Sequence, residues 1–481
     1  MAGRSPLHNT LFSVAGQVVG RLLALALYAV LARHFGPDLY GDMGLGASFG
    51  VIFAVIVEPG LNPLLIKDGA TAPAELPQRF AETLAFKLLT IALVWPVMVG
   101  AGWLMGLRGS AIWAVVFAGG TALLVGLEDL GSAVLTARER MDLEASLRSI
   151  SKLMFAGVGL LAVALHASFA AILAVLTGAQ AATGVAMVVL VRRSGLPVRL
   201  SPQLQRTWAQ VTRAWPLAVT GVLWLVTLRL DQILATMMGV PRADLGDYNA
   251  AVKLVEALIL FPTAIALTFS PLLARAFVEG PQRAAEELSV GLETALSVCL
   301  PVAVGGALLA GPIATFVYGG SFSGTGPLLC LQVLGLPLIG IQFLSMYALI
   351  GAGELRSQTL IVVVNLSLNV AGNLVLVPRL GILGATLAAL TGTVGGAIAS
   401  LALVRRHGMK PALGGASWRP LAASAVMGAA VWALREHLPF WANIIAGAIV
   451  YGGVYYVLGG TRLVVALRTR RERRLEPAIQ A

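Results

Sequence analysis

The chain has 481 residues, 58% hydrophobic and only 12% charged, whereas a soluble domain carries roughly a quarter charged residues, so a soluble fold is excluded and lipid must be the solvent. The net charge of +11 comes with no DNA- or RNA-binding motif, and the positive-inside rule explains it without a nucleic-acid partner. Cys299 and Cys330 show no zinc spacing and no disulfide framework, and the five histidines are scattered, so neither a metal site nor a cofactor is expected.

A spanning helix needs roughly 20 apolar residues. In chain order the candidate spans are 11–32, 43–61, 84–106, 110–130, 150–167, 169–191, 214–238, 248–273, 290–317, 327–351, 358–377, 381–404, 420–434 and 441–460. The expected fold is therefore an all-α polytopic membrane protein with about 14 transmembrane helices. No small-residue cleavage pattern follows the first stretch, which reads as a retained helix. With the N-terminus inside, the inner segments hold 26 of the 34 basic residues, which places both termini in the cytoplasm. Lys87 counts among these inner residues. The outer loops are short, Leu165 to Phe169 and Val377 to Ile382 being bare turns. Thr136-x-x-Glu139 reads as a capping box that opens a cytoplasmic helix through about Lys152. Trp95, Trp103, Trp113 and Trp215 lie near span ends and read as interface anchors. The basic tail from Arg468 reads as an anchor to anionic lipid.

One pattern occurs twice. LARHFGPDLYGDM from Leu31 and LATMMGVPRADLGDY from Leu234 both start Leu-Ala, turn at Gly and Pro, and present Asp-Leu, Gly and Tyr. AVLTARER from Ala133 pairs with ALIGAGELR from Ala348, and LAVLTG from Leu173 with LAALTG from Leu387. Because the order is preserved, the chain divides into a first lobe 1–200, a second lobe 201–410 of six spans each, two extra spans in 411–460 and a basic tail 461–481. A duplicated bundle of this kind is the plan of many transporters, with the substrate path between the copies.

Charges deep in a span cost about 2.5–3.5 kcal/mol each on insertion scales. Arg21 lies midway along span one, and Arg229 with Asp231 midway along span seven. Lys253 and Glu256 lie near the start of span eight. Glu58 closes span two, and Glu128 with Asp129 close span four, where a solvated interface is the simpler reading. Arg229 and Asp231 are two apart and point about 200° from one another on a helix, so each could bridge to a neighbouring helix and only hold the bundle. Lys253 and Glu256 could likewise be a simple i,i+3 pair. Asn365, Asn369 and Asn373 recur every four residues on one face of span eleven and read as inter-helix hydrogen bonds, worth about 0.6 kcal/mol each.

LARHFGPDLYG, Glu58-Pro-Gly-Leu, Asp231…Gly246-Asp-Tyr-Asn-Ala and Asn365…Asn369…Asn373…Pro378…Gly381…Gly384-Ala385 together resemble the oligosaccharide and O-antigen flippases. These belong to the multidrug/oligosaccharidyl-lipid/polysaccharide exporter superfamily, and the resemblance runs from about residue 9 to 404. It implies two six-helix lobes around a cavity that opens alternately to either side. It also implies a polyprenyl-diphosphate-linked oligosaccharide as substrate, a bacterial inner-membrane location, and a polysaccharide polymerase and glycosyltransferases as partners. A diphosphate suits the planar fork of arginine. On this reading Arg21, Arg229 and Lys253 are substrate contacts, and Asp231 and Glu256 balance their charge or couple transport to a proton or sodium gradient. A lipid II flippase and a cation-coupled drug antiporter are the rivals within the superfamily, although an antiporter for organic cations would want an acidic or aromatic cavity. A membrane glycosyltransferase or polymerase is disfavoured, because the outer loops are too short to build a catalytic site.

Overall fold

The computed structural model describes residues 6–193, 204–412 and 418–460, with the side chains of 6–19, 21, 204–209 and 213–218 outside the described residues. Among the described residues there are helices and turns but no strand. Hydrocarbon imposes this, since a helix satisfies its backbone polar groups within one segment.

The helices are α1 (Pro6–Val57), α2 (Leu61–Thr71), α3 (Leu76–Leu104), α4 (Ser110–Ala114), α5 (Gly120–Ala137), α6 (Met141–Ala164), α7 (Phe169–Arg193), α8 (Leu204–Thr227), α9 (Leu230–Met237) and α10 (Arg242–Leu258). There follow α11 (Leu260–Glu279), α12 (Pro281–Leu308), α13 (Ala310–Tyr318), α14 (Thr325–Val333), α15 (Leu336–Gly351), α16 (Leu355–Leu380), α17 (Ile382–Arg406), α18 (Trp418–Leu434) and α19 (Phe440–Val457). A π-helical turn, Val115–Gly119, joins α4 to α5.

Among the described residues, 11 helical runs are long and apolar enough to cross a membrane, or up to 12 with the bent pair α8–α9. Gly36 divides α1 at φ 72°, ψ 174°, because the following Pro37 disfavours helical geometry in the residue before it. That division adds one segment, and the 17-residue α18 adds another, for fourteen. The protein is an all-α polytopic membrane protein.

Contacts group the chain into two compact units, Met1–Lys253 with Asn373–Ala385, and Leu254–Gly372 with Thr386–Ala481. This division follows contacts, whereas the boundary expected near residue 200 follows the repeated sequence pattern. The two differ because α8 packs on α1, α2 and α3, and α9 packs on α1.

In the first unit, Phe49, Phe80, Met98, Leu123, Leu130 and Met187 form the centre of the core. One charge is buried beside it. Lys87, counted from sequence among the inner loop residues, is 0% exposed in α3. Its ammonium pairs with the Glu58 carboxylate and donates to Asn62 Oδ1 at 3.1 Å and to the Gly126 carbonyl at 2.9 Å. All three ammonium hydrogens therefore have acceptors, which is what makes the burial tolerable. Glu58 is accordingly an ion-pair partner and not merely a solvated interface residue.

Two further local expectations are corrected. Thr136-x-x-Glu139 is no capping box: α5 continues to Ala137, Glu139 takes a left-handed turn at φ 57°, and α6 starts at Met141 without a side-chain cap. Trp95 is not an interface anchor. It lies well inside α3, and its indole N–H donates to the Val116 carbonyl at 2.9 Å, an acceptor in the π-helical turn. Trp103 and Trp113 are exposed as expected of anchors.

In the second unit α11, α12 and α15 pack on one another around Phe269, Leu273, Leu288, Leu292, Leu344 and Leu349. Asn365 Nδ2 donates to Gln342 Oε1 at 3.3 Å, and Gly392 and Gly396 on α17 leave the room these amides occupy. The added helices α18 and α19 pack on one another and on α12. Tyr451 ties them down by donating to the Ser297 carbonyl at 2.6 Å.

Removing one member of a buried ion pair is costly. Lys87→Ala should lower stability by about 3 kcal/mol, the lower end of the range for such pairs, because Glu58 keeps some exposure. The double variant Lys87→Met, Glu58→Gln should recover most of the loss. Thermal unfolding in detergent reads both, and a Lys87→Ala protein that melts like wild type would deny the pair a structural role.

Candidate functional site

Of the polar residues singled out from sequence, Arg229, Asp231 and Lys253 lie in the first unit. Span seven is not one continuous helix. It breaks between α8 and α9 with a 47° bend, and Arg229 stands at the break, at φ −128°, as the residue preceding α9. Arg229 is thus at an opened turn and not midway along a regular helix, and its side chain is half-buried.

Asp231 follows in the first turn of α9 and is 4% exposed. The Tyr248 hydroxyl donates to its Oδ2 at 2.9 Å, and Asn373 Nδ2 donates to its Oδ1 at 2.7 Å. The helix N-terminus favours a carboxylate at this place. The amide ladder of α16 is thereby explained at two of its three positions: Asn365 binds Gln342, and Asn373 binds Asp231. All three amides are buried.

Lys253 lies half-buried near the end of α10, its ammonium 4.8 Å from the centre of the Tyr28 ring on α1, a cation–π contact. Arg21 belongs to the same helix as Tyr28, but its side chain lies outside the described residues. Glu256 belongs to the second unit, where it is half-buried within electrostatic reach of the buried Tyr318. The structure therefore gathers Arg229, Asp231 and Lys253 into one unit and places Glu256 in the other. The basic tail from Arg468 also lies outside the described residues. No cluster of His, Cys, Asp and Glu among the described residues could hold a metal ion.

The doubled turn has a role that sequence did not disclose. Its two copies pack against one another. A Cβ at Gly41 would meet the Arg242 carbonyl and the Gly246 amide, and a Cβ at Gly246 would meet the Pro37 carbonyl. Only glycine permits backbones to approach so closely. Around this contact Ser110 Oγ donates to Asp42 Oδ2 at 2.5 Å, and Arg242 Nη1 donates to the same oxygen at 3.2 Å. About two turns further along α1, Ser48 Oγ lies 2.8 Å from the Gln232 side-chain amide. The paired glycines were visible in sequence as part of the repeat, but nothing there indicated that one copy would touch the other.

A leucine at Gly246 would force these turns apart. In a Ser110→Cys background, Gly246→Leu should raise the rate of labelling at position 110 by a membrane-impermeant thiol reagent severalfold. Unchanged labelling, with the protein at normal level in the membrane, would mean that the contact does not shield this position.

No curated protein sequence matches the chain. A family model described as "Polysaccharide biosynthesis protein" matches residues 7–277, more than half of the chain. Among solved structures, the backbone is similar to that of the lipid II flippase MurJ in an inward closed conformation, with a TM-score of 0.77 at 14% identity over 95% of this chain and 100% of that one. It is also similar to a multidrug resistance MATE family transporter of the MOP superfamily in an inward-facing conformation (TM-score 0.55, 15% identity, 84% of this chain and 95% of that one). A third similar structure is a MOP superfamily transporter from Pyrococcus furiosus described as having a binding pocket of reversed polarity (TM-score 0.52, 14% identity, 83% and 93%). At such identities the likeness concerns the fold alone, whereas the family match concerns the sequence itself: the chain belongs to the polysaccharide biosynthesis protein family.

Proposed function

We propose that the protein is a flippase that moves polyprenyl-diphosphate-linked oligosaccharide units, precursors of O-antigen, capsule or exopolysaccharide, across the bacterial inner membrane. The observation that carries this reading is the break in span seven at Arg229. Discontinuous helices at membrane depth are where transporters bind their substrates, and the N-terminal end of the second half-helix favours an anion. An arginine at such an opened turn suits a diphosphate, because its fork can donate two hydrogen bonds to the phosphoryl oxygens. Lys253 adds a cation in the same unit. Arg21, seven residues before Tyr28 on α1, is the third proposed contact. The family match supports the polysaccharide substrate class.

The proposed mechanism is alternating access, with residues 1–200 and 201–410 as the moving lobes and both termini in the cytoplasm. The protein then acts as a transporter and not as a catalyst. A glycosyltransferase and a polymerase acting before and after it are its expected partners, and anionic lipid holds its basic tail. Asp231 is the proposed coupling carboxylate. It is buried, oriented by Tyr248 and Asn373, and two residues from the proposed phosphate contact, so a bound cation or proton there would alter the field at Arg229. Glu256 is the second candidate.

A lipid II flippase is the alternative reading, favoured by the similarity of fold to MurJ. Rescue of a strain depleted of its own lipid II flippase would favour that alternative, and rescue of a polysaccharide-flippase-null strain favours the proposal.

Arg229→Gln and Arg21→Gln should each abolish surface polysaccharide while the protein stays at normal level in the membrane. Arg229→Lys should keep part of the activity, because the charge remains while the fork is lost. Normal polymer output from both Gln variants would sink the diphosphate assignment. For coupling, Asp231→Asn should make transport in vesicles insensitive to an imposed proton or sodium gradient. A gradient response equal to wild type would remove Asp231 from the coupling role.

A further inference from the structure

The first unit carries a groove that Arg229, Asp231 and Lys253 do not line. This groove of about 700 Å³ lies between α3 and the segment formed by α4 and its π-helical turn. Trp95, Val99, Gly100 and Trp103 line one side, and Ile112 and Val116 the other. Apart from two indole N–H groups these side chains are apolar, and the Trp95 N–H is already donated to the Val116 carbonyl. Water would find almost nothing to bind there, which makes a hydrocarbon chain the fitting occupant.

The groove is built and not an accident of a smooth surface. Its Trp95 wall is fixed by the hydrogen bond to the π-helical turn, and it packs where Gly120 leaves space, since a Cβ at Gly120 would meet the indole ring. A π-helical turn inside an α-helix is a local distortion found frequently at functional sites. Gly100 faces open space: a Cβ there meets no atom within 4 Å. The residues along the exposed side of α3, Leu89, Leu93, Val97 and Leu104, are large and apolar, as a surface within hydrocarbon requires.

A charge stands at one end. The Arg108 guanidinium lies 4.8 Å from the centre of the Trp103 ring. Its Nη1 donates to the carbonyls of Trp103 and Leu107 at 2.9 and 2.8 Å. Both bonds use Nη1, so the Nε and Nη2 hydrogens are left for a ligand. Among the described residues no carboxylate pairs with it. The basic-residue pattern puts this loop on the outer face. We propose that the groove binds one acidic phospholipid of the outer leaflet, with an acyl chain along Trp95, Gly100 and Trp103 and the phosphate on Arg108. An exposed arginine stacked on an interfacial tryptophan is suited to this, being held in place while its charge stays available.

The full-length protein, purified in detergent, is titrated with phosphatidylglycerol, phosphatidylcholine and a polyprenyl phosphate, and bound lipid is counted by native mass spectrometry. Wild type should retain one phosphatidylglycerol in preference to phosphatidylcholine. Gly100→Phe fills the groove from a position with no protein neighbour and should lose that molecule. Gly100→Leu, a smaller filler, guards against a folding defect and should weaken binding in the same direction. Arg108→Gln should lower phosphatidylglycerol affinity about fivefold, the effect of one basic residue near the head group, and erase the preference between the two lipids. Wild-type affinity in the Gly100 variants would overturn the site. Displacement of phosphatidylglycerol by an equal concentration of polyprenyl phosphate would overturn its assignment to a phospholipid.

Discussion

Hydrocarbon offers a polar side chain no partner, and the buried charges at Lys87, Asp231 and Glu128 are each answered by another part of the chain. Lys87 is the strictest case, with a carboxylate, an amide and a backbone carbonyl around one ammonium. Asp231 is held by a tyrosine and an asparagine, and Glu128 accepts from Gln180 at 2.9 Å. The distorted backbone obeys the same rule. Where the π-helical turn departs from the regular ladder, Trp95 and Thr177 donate to the carbonyls of Val116 and Phe117. These bonds tie α3 and α7 to the turn, so satisfying the backbone also assembles the bundle.

The duplicated turn extends this economy to packing. Helices in lipid gain no hydrophobic energy by associating, and close backbone contact is a main source of their cohesion. Gly41 and Gly246, equivalent in the repeat, supply such a contact with each other's surroundings. The neighbouring Asp42, Ser110 and Arg242 place a charged hydrogen-bonded group beside it.

How far the site was legible follows from the kind of signal each residue leaves. Asp231 and the asparagine ladder stood out because polar residues in an apolar run are conspicuous, and the structure joins them through Asn373. The break at Arg229 was not legible. No proline or glycine stands beside it, and the apolar context around Leu228 and Leu230 reads as unbroken helix. Lys87 resembles a loop residue in sequence because it lies near a span end, where lysine normally reaches for the interface. Its acceptors at 58, 62 and 126 come from other segments, so burial could not be foreseen. The Thr136-x-x-Glu139 motif failed for a local reason, since the preceding helix ran through the threonine and left the glutamate in the turn. Trp95 resembles an anchor in sequence because nothing there announces a π-helical turn opposite it.

Composition and periodicity by themselves determined that the chain is an all-helical membrane protein, because solvent choice depends on summed apolar content and span length on the thickness of hydrocarbon. The order of residue types also showed the turn sequence that occurs twice, at Leu31 and at Leu234. Tertiary structure alone decided which polar groups are satisfied by which, that the copies of the turn meet, and that a helix opens at Arg229. These depend on backbones from distant parts of the chain coming within a few ångströms of one another, and a distance of that kind is a property of packing, not of order along the sequence.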